Sequence, residues 1–153
     1  MVKSIENISL GVIGDLRYRA RQSFEREHYY EAASLMHTLV DWWMRQFLRT
    51  EKKLPRKFWD GSNLTFHRLI NYCEIAGLQK SSIDELDRFN RARNKLIHDA
   101  LSCTEEAIVS ILVNPIEVFN GSRFSSDAKL TYILGESIID RISKKNGNFF
   151  FCS

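Results

Sequence analysis

The stretch from about Tyr29 to Glu51 constrains the fold most, because its apolar residues cover more of a helix surface than one neighbour can bury. Wound at roughly 100° per residue from Met36, the side chains of Leu35, Leu39, Val40, Trp42, Trp43, Met44 and Phe47 fill an arc of about 200°. Ser34, Thr38, Asp41 and Arg45 lie opposite. An arc that wide needs packing partners on several sides. This helix is therefore expected at the centre of a helical domain.

The rest of the chain supplies those partners. A first helix is expected from about Asp15 to Arg26, with Leu16, Tyr18, Ala20 and Phe24 inward, while Gly11 and Gly14 weaken the helical pattern before it. Residues 52–64 carry Pro55, Asp60-Gly61 and Ser62-Asn63 and read as a loop. A third helix is expected over Thr65–Gly77, and a fourth capped by Ser81 or Ser82, with Asp84 and Glu85 favouring the positive end of its dipole. A fifth begins at Thr104-Glu105-Glu106 and stops before Pro115, although β-branched residues make a short strand over 109–118 an alternative. Ser125 or Ser126 opens a last helix that runs to about Lys145, before Asn146-Gly147. The expected fold class is all-α, an antiparallel bundle of five to six helices forming one domain over residues 1–153.

Composition narrows the function classes. Cys73, Cys103 and Cys152 are odd in number and far apart, which argues against a disulfide framework or a zinc site and for a reducing, cytoplasmic compartment. No apolar run approaches the roughly 20 residues needed to span a bilayer, and the start lacks the order of a signal peptide. The net charge of +3 permits nucleic-acid binding without requiring it. His28, His37, His67 and His98 lack metal-ligand spacing, and no Gly-rich phosphate loop, H-E-x-x-H or nucleophile elbow is present. No cofactor is expected.

One residue breaks the pattern. On the fourth helix, with Leu86 at the origin, Ile97 falls at about 20°, Ile83 at about 60°, Phe89 at about 300° and Arg93 at about 340°, inside the apolar stripe. A guanidinium is costly to bury unless it is paired or used. It can be a structural ion pair with a carboxylate of another helix, Asp41 being one candidate, or part of a site. Asn90, Asn94 and His98 form a ridge beside the stripe, with His98 about 140° from Arg93. A kink or a second copy of the helix is needed to bring arginine and histidine together. A twofold axis would join both copies of Arg93, Asn94 and His98 in one cleft. Such a cleft offers proton transfer from histidine and a fork of donors for a phosphate from arginine.

Arg93-Asn94-Lys95-Leu96-Ile97-His98 resembles the R-x-x-x-x-H motif of the HEPN superfamily, in which a polar residue commonly follows the arginine. Phe24-Glu25-Arg26-Glu27-His28-Tyr29-Tyr30-Glu31-Ala32-Ala33 resembles the turn between the first two HEPN helices, and Thr104-Glu105-Glu106-Ala107 the start of the helix after the motif. The resemblance covers roughly residues 15–113. It implies a HEPN-like helical homodimer and, in active members, metal-independent RNA cleavage by a toxin or defence effector, with a cognate antitoxin or regulatory protein as a further partner. On this chain His98 would be general acid or base, Arg93 would hold the phosphoryl group and Asn94 would orient the site. In HEPN toxins silenced by nucleotidyl transfer, the modified tyrosine sits two residues after the histidine; Ala100 stands there. The alternative is a non-catalytic HEPN module that binds RNA or a protein.

The loop Lys52-Lys53-Leu54-Pro55-Arg56-Lys57-Phe58-Trp59 interleaves cations and aromatics. Lys52, Lys53, Arg56, Lys57 and Trp59 are candidate RNA contacts, with Trp59 as a stacking platform. Alternatively Phe58 and Trp59 anchor the loop to the core while the cations stay in water. Phe149-Phe150-Phe151 is either a packed tail or a patch for a partner.

Overall fold

The computed structural model describes residues 2–61, 63–101 and 123–145. Five α-helices occupy most of them: α1 (Val2–Glu25), α2 (Tyr29–Glu51), α3 (Phe66–Ile75), α4 (Lys80–Leu101) and α5 (Arg123–Lys145), with a single 3-10 turn at Arg56–Phe58. No strand occurs among the described residues. The fold is an all-α bundle, as the periodicity predicts. The expected helix from Thr104, the alternative strand over 109–118 and the Phe149–Phe151 tail lie outside the described residues, as do Cys103 and Cys152.

α2 is the central element, packed against α1, α3 and α5. Its buried set is Ala32, Ala33, Met36, Leu39, Val40, Trp43, Met44 and Leu48, and Leu35, Trp42 and Phe47 of the expected arc pack against the core only partly buried. The turn at residues 26–28 reverses the chain between α1 and α2, with Glu27 in left-handed geometry at φ 65°. α4 runs antiparallel to α5: Lys95 meets Asp127 near one end, and Glu85 meets Arg141 near the other. One continuous core takes residues from all five helices, among them Ile13, Met36, Leu69, Phe89 and Ile139.

Three expectations are corrected. α1 starts near Val2 rather than Asp15, so Gly11 and Gly14 sit within it. Each costs about 1 kcal/mol of helix propensity, which packing of the amphipathic face offsets. Tyr18 is 62% exposed, because α1 turns Ile13, Leu16, Ala20 and Phe24 toward the core and Tyr18 leaves the opposite side. α4 begins at Lys80, so Ser81 and Ser82, the two expected caps, both lie inside the helix. For α3, Thr65 is the N-cap, its hydroxyl accepting from the Arg68 amide at 3.3 Å.

α5 approaches α2 and α4 closely at Gly135. A Cβ there would collide with Cγ of Met36 and stand 2.9 Å from Cε2 of Phe89. No helix among the described residues is long and apolar enough to cross a membrane.

Candidate functional site around Arg93

α4 turns its buried face as it proceeds. In its first half Ile83, Leu86, Phe89 and Asn90 are buried; in its second half, among the residues whose burial is described, Ala92 and Leu96 are. Leu96 packs with Ala33 of α2, Ala128 of α5 and the ring of Tyr29. This contact draws the helix toward that side and leaves Ile97, expected in the stripe, 37% exposed. Asn90, expected on the polar ridge, is buried instead.

Arg93 lies between these two faces and is half-buried. Its Cζ stands 5.7 Å from the centroid of the Phe66 ring, the first residue of α3. The same ring meets the imidazole of His37 on α2, with centroids 5.1 Å apart. Burial lowers the Arg93 pKa, and the charge of Asp41 works in the opposite direction. Asp41 itself is bonded to Arg45, whose Nε donates to its carboxylate at 2.9 Å. Among the described residues, no hydrogen bond or salt bridge joins the Arg93 guanidinium to a carboxylate. A half-buried cation with a ring contact and a distant counter-charge keeps its N–H donors available.

His37 has a matching peculiarity. Its Nε2 is buried without a hydrogen-bond partner. Burial first, and then the positive charge of Arg93, push its pKa down to about 4 against the opposing pull of Asp41. The imidazole is therefore neutral at physiological pH. The sequence places His37 and Asp41 on the polar edge of α2 and allows Asp41 to reach Arg93. It carries no signal that His37 meets the same aromatic ring.

The other motif residues face elsewhere. α4 stays α-helical from Lys80 to Leu101, so the Arg93 and His98 side chains leave it at about 140°. Asn94 and His98 are both exposed. Within one chain the structure brings Arg93 to His37, Asp41 and Phe66, not to His98. Lys95 takes a different role: its Nζ lies 3.1 Å from Oδ1 of Asp127, whose side chain is only 7% exposed. The other oxygen of Asp127 is buried and unpartnered.

The basic loop divides its candidates. Trp59 is 4% exposed and its indole N–H donates to the Leu54 carbonyl at 3.3 Å, so it is an anchor and presents no face for stacking a base. Arg45 fastens the same loop to α2 by donating to the Trp59 carbonyl at 2.6 Å. Lys52, Lys53, Arg56 and Lys57 remain exposed, but Arg56 pairs with Asp60 and Lys57 sits 5.3 Å over the Phe58 ring. Among the described residues no group of three or more His, Cys, Asp or Glu is arranged to hold a metal ion. A groove of about 260 Å³ beside the α1–α2 turn, lined by Tyr18, Arg26, His28 and Glu31 among others, includes neither Arg93 nor His98.

In comparisons with known proteins, no family model matches the chain, and neither a curated protein nor a solved structure matches it.

Proposed function

We propose that this chain is a HEPN-type endoribonuclease that works as a homodimer, cleaving single-stranded RNA without a metal and serving as a toxin or defence effector. The observation that carries the reading is Arg93: a half-buried guanidinium that rests on Phe66 and has no hydrogen-bonded carboxylate among the described residues. A phosphodiester oxygen is the kind of acceptor that such a group lacks. In this reading Arg93 holds the phosphoryl group and stabilises the charge that builds on it. His98 removes the proton from the 2′-hydroxyl or supplies one to the leaving oxygen, and Asn94 orients the backbone. Because His98 diverges from Arg93 on its own helix, the histidine that serves a given Arg93 comes from the second copy. The exposed Ile97 beside it offers apolar surface for that contact.

The rival reading is a non-catalytic module of the same fold, binding RNA or a protein. Its support is the Phe66 ring and the field of Asp41, which hold the guanidinium within a single chain. One experiment separates the two. RNA is incubated in EDTA with the wild type, Arg93→Ala and His98→Ala, each checked as a folded dimer by light scattering. The ribonuclease reading expects cleavage by the wild type alone. Equal activity in all three proteins removes the assignment. Absence of cleavage throughout, with a sharply lower melting temperature for Arg93→Ala, favours the module.

A further inference from the structure

We infer that His37 forms the second wall of the Arg93 site, so that a phosphate held by the guanidinium takes a hydrogen bond from the His37 imidazole of the same chain. The inference rests on the reading of Arg93 as the phosphate-binding residue and adds a residue that the motif does not contain.

Two polar groups converge on one ring. Arg93 Cζ and the His37 imidazole lie 5.7 and 5.1 Å from the centre of Phe66. Neither has its hydrogen-bonding capacity spent: Arg93 bonds no carboxylate among the described residues, and His37 Nε2 is enclosed without a partner. A buried polar atom left in this state is costly, and such atoms in folded proteins call for an explanation. An oxyanion supplies one, accepting from the guanidinium with one oxygen and from an Nε2–H tautomer with the same or a second oxygen. The imidazole is the fixed side of the enclosure, packed on Phe66. The guanidinium, held by a ring and a field rather than by hydrogen bonds, is the side that adjusts. The charge of Asp41 on α2 acts on both groups, and Asp41 itself accepts a hydrogen bond from Arg45. His37 is held neutral in the free protein, so its proton affinity reports whether negative charge has entered.

The test follows the His37 ring and the Arg93 Nε–H by NMR in the full chain during pH titration. Inorganic phosphate is the probe, with chloride at equal ionic strength as reference. The expected result is that phosphate raises the His37 midpoint by one pH unit or more and shifts the Arg93 Nε–H, while chloride does neither. Arg93→Ala abolishes the phosphate response at His37. His37→Phe weakens phosphate binding about tenfold, and His37→Gln, which keeps a donor, restores it to within threefold. A phosphate shift at Arg93 with an unmoved His37 overturns this inference and leaves the Arg93 reading standing. No shift at either group overturns both.

Discussion

Replacing Gly135 with alanine tests the three-helix contact on which the site's geometry depends. In an exposed helix the change would stabilise by about 1 kcal/mol, because alanine has the higher propensity. At Gly135 the added methyl meets Cγ and Sδ of Met36 and Cε2 of Phe89, the sulfur and ring contacts both at 2.9 Å. Met36 and Phe89 are each 0% exposed, so neither can yield into solvent. Overpacking of this kind costs about 1–3 kcal/mol, and a collision with an enclosed side chain belongs at the upper end. The net expectation, after the propensity gain, is a loss of roughly 1–2 kcal/mol. Gly11 and Gly14 are the internal controls: a Cβ at either meets nothing within 4 Å. Gly14→Ala is expected to gain up to about 1 kcal/mol. Urea unfolding followed by far-UV circular dichroism reads both. With a slope of about 2 kcal/mol per molar, the two variants should be separated by roughly 1 M in midpoint. Equal stability of Gly135→Ala and Gly14→Ala would mean that α5 does not approach α2 and α4 as described, and the placement of the Phe89 ring 5.6 Å from that of Phe66 would fall with it.

His37 makes stability depend on pH. Its folded pKa, about 4, lies below the ordinary 6.5, so its contribution is complete above pH 6.5 and is lost as pH falls toward 4. Discounted for partial exposure, the loss is roughly 1–2 kcal/mol, read as the difference in unfolding free energy between wild type and His37→Gln across that window. A parallel pH dependence in both proteins would contradict it. Lys95→Met should destabilise by about 1–3 kcal/mol by stranding the buried Asp127 carboxylate, and Lys95→Met combined with Asp127→Asn should recover part of that loss in a thermal melt. Trp59→Ala should cost about 3–5 kcal/mol, and RNA should leave wild-type Trp59 emission unquenched, since the indole is enclosed.

The bundle is legible in the sequence because helical periodicity reports burial directly. α2 has the ends that its apolar arc indicates, Tyr29 and Glu51. The beginning of α1 is hidden because propensity speaks against Gly11 and Gly14, whereas packing decides. On α4 a single ideal phase places Ile97 inside and Asn90 outside. The contact of Leu96 with Ala33 and Ala128 turns the second half of the helix, a tertiary effect with no local signature. Arg93 stands out in the sequence as a cation within an apolar stripe, and the fold does remove it partly from water. Its companion His37 does not stand out, because the basic loop and the whole of α3 separate the two in the chain, and only packing reunites them. The pairing of Lys95 with Asp127 escapes for the same reason.

The ring that Arg93 and His37 share opens α3, which at 10 residues is the shortest of the five helices. A helix of that length is marginal by itself and takes its order from α2 and α4 and from the Thr65 cap. Breathing of α3 is then the motion that lifts the floor from under the guanidinium, and its amides should exchange with deuterium ahead of those of α2. Thr65→Ala, which weakens the cap by about 1 kcal/mol, should quicken that exchange several-fold. Access to the proposed Arg93 site would thus be timed by the bundle's least self-sufficient segment.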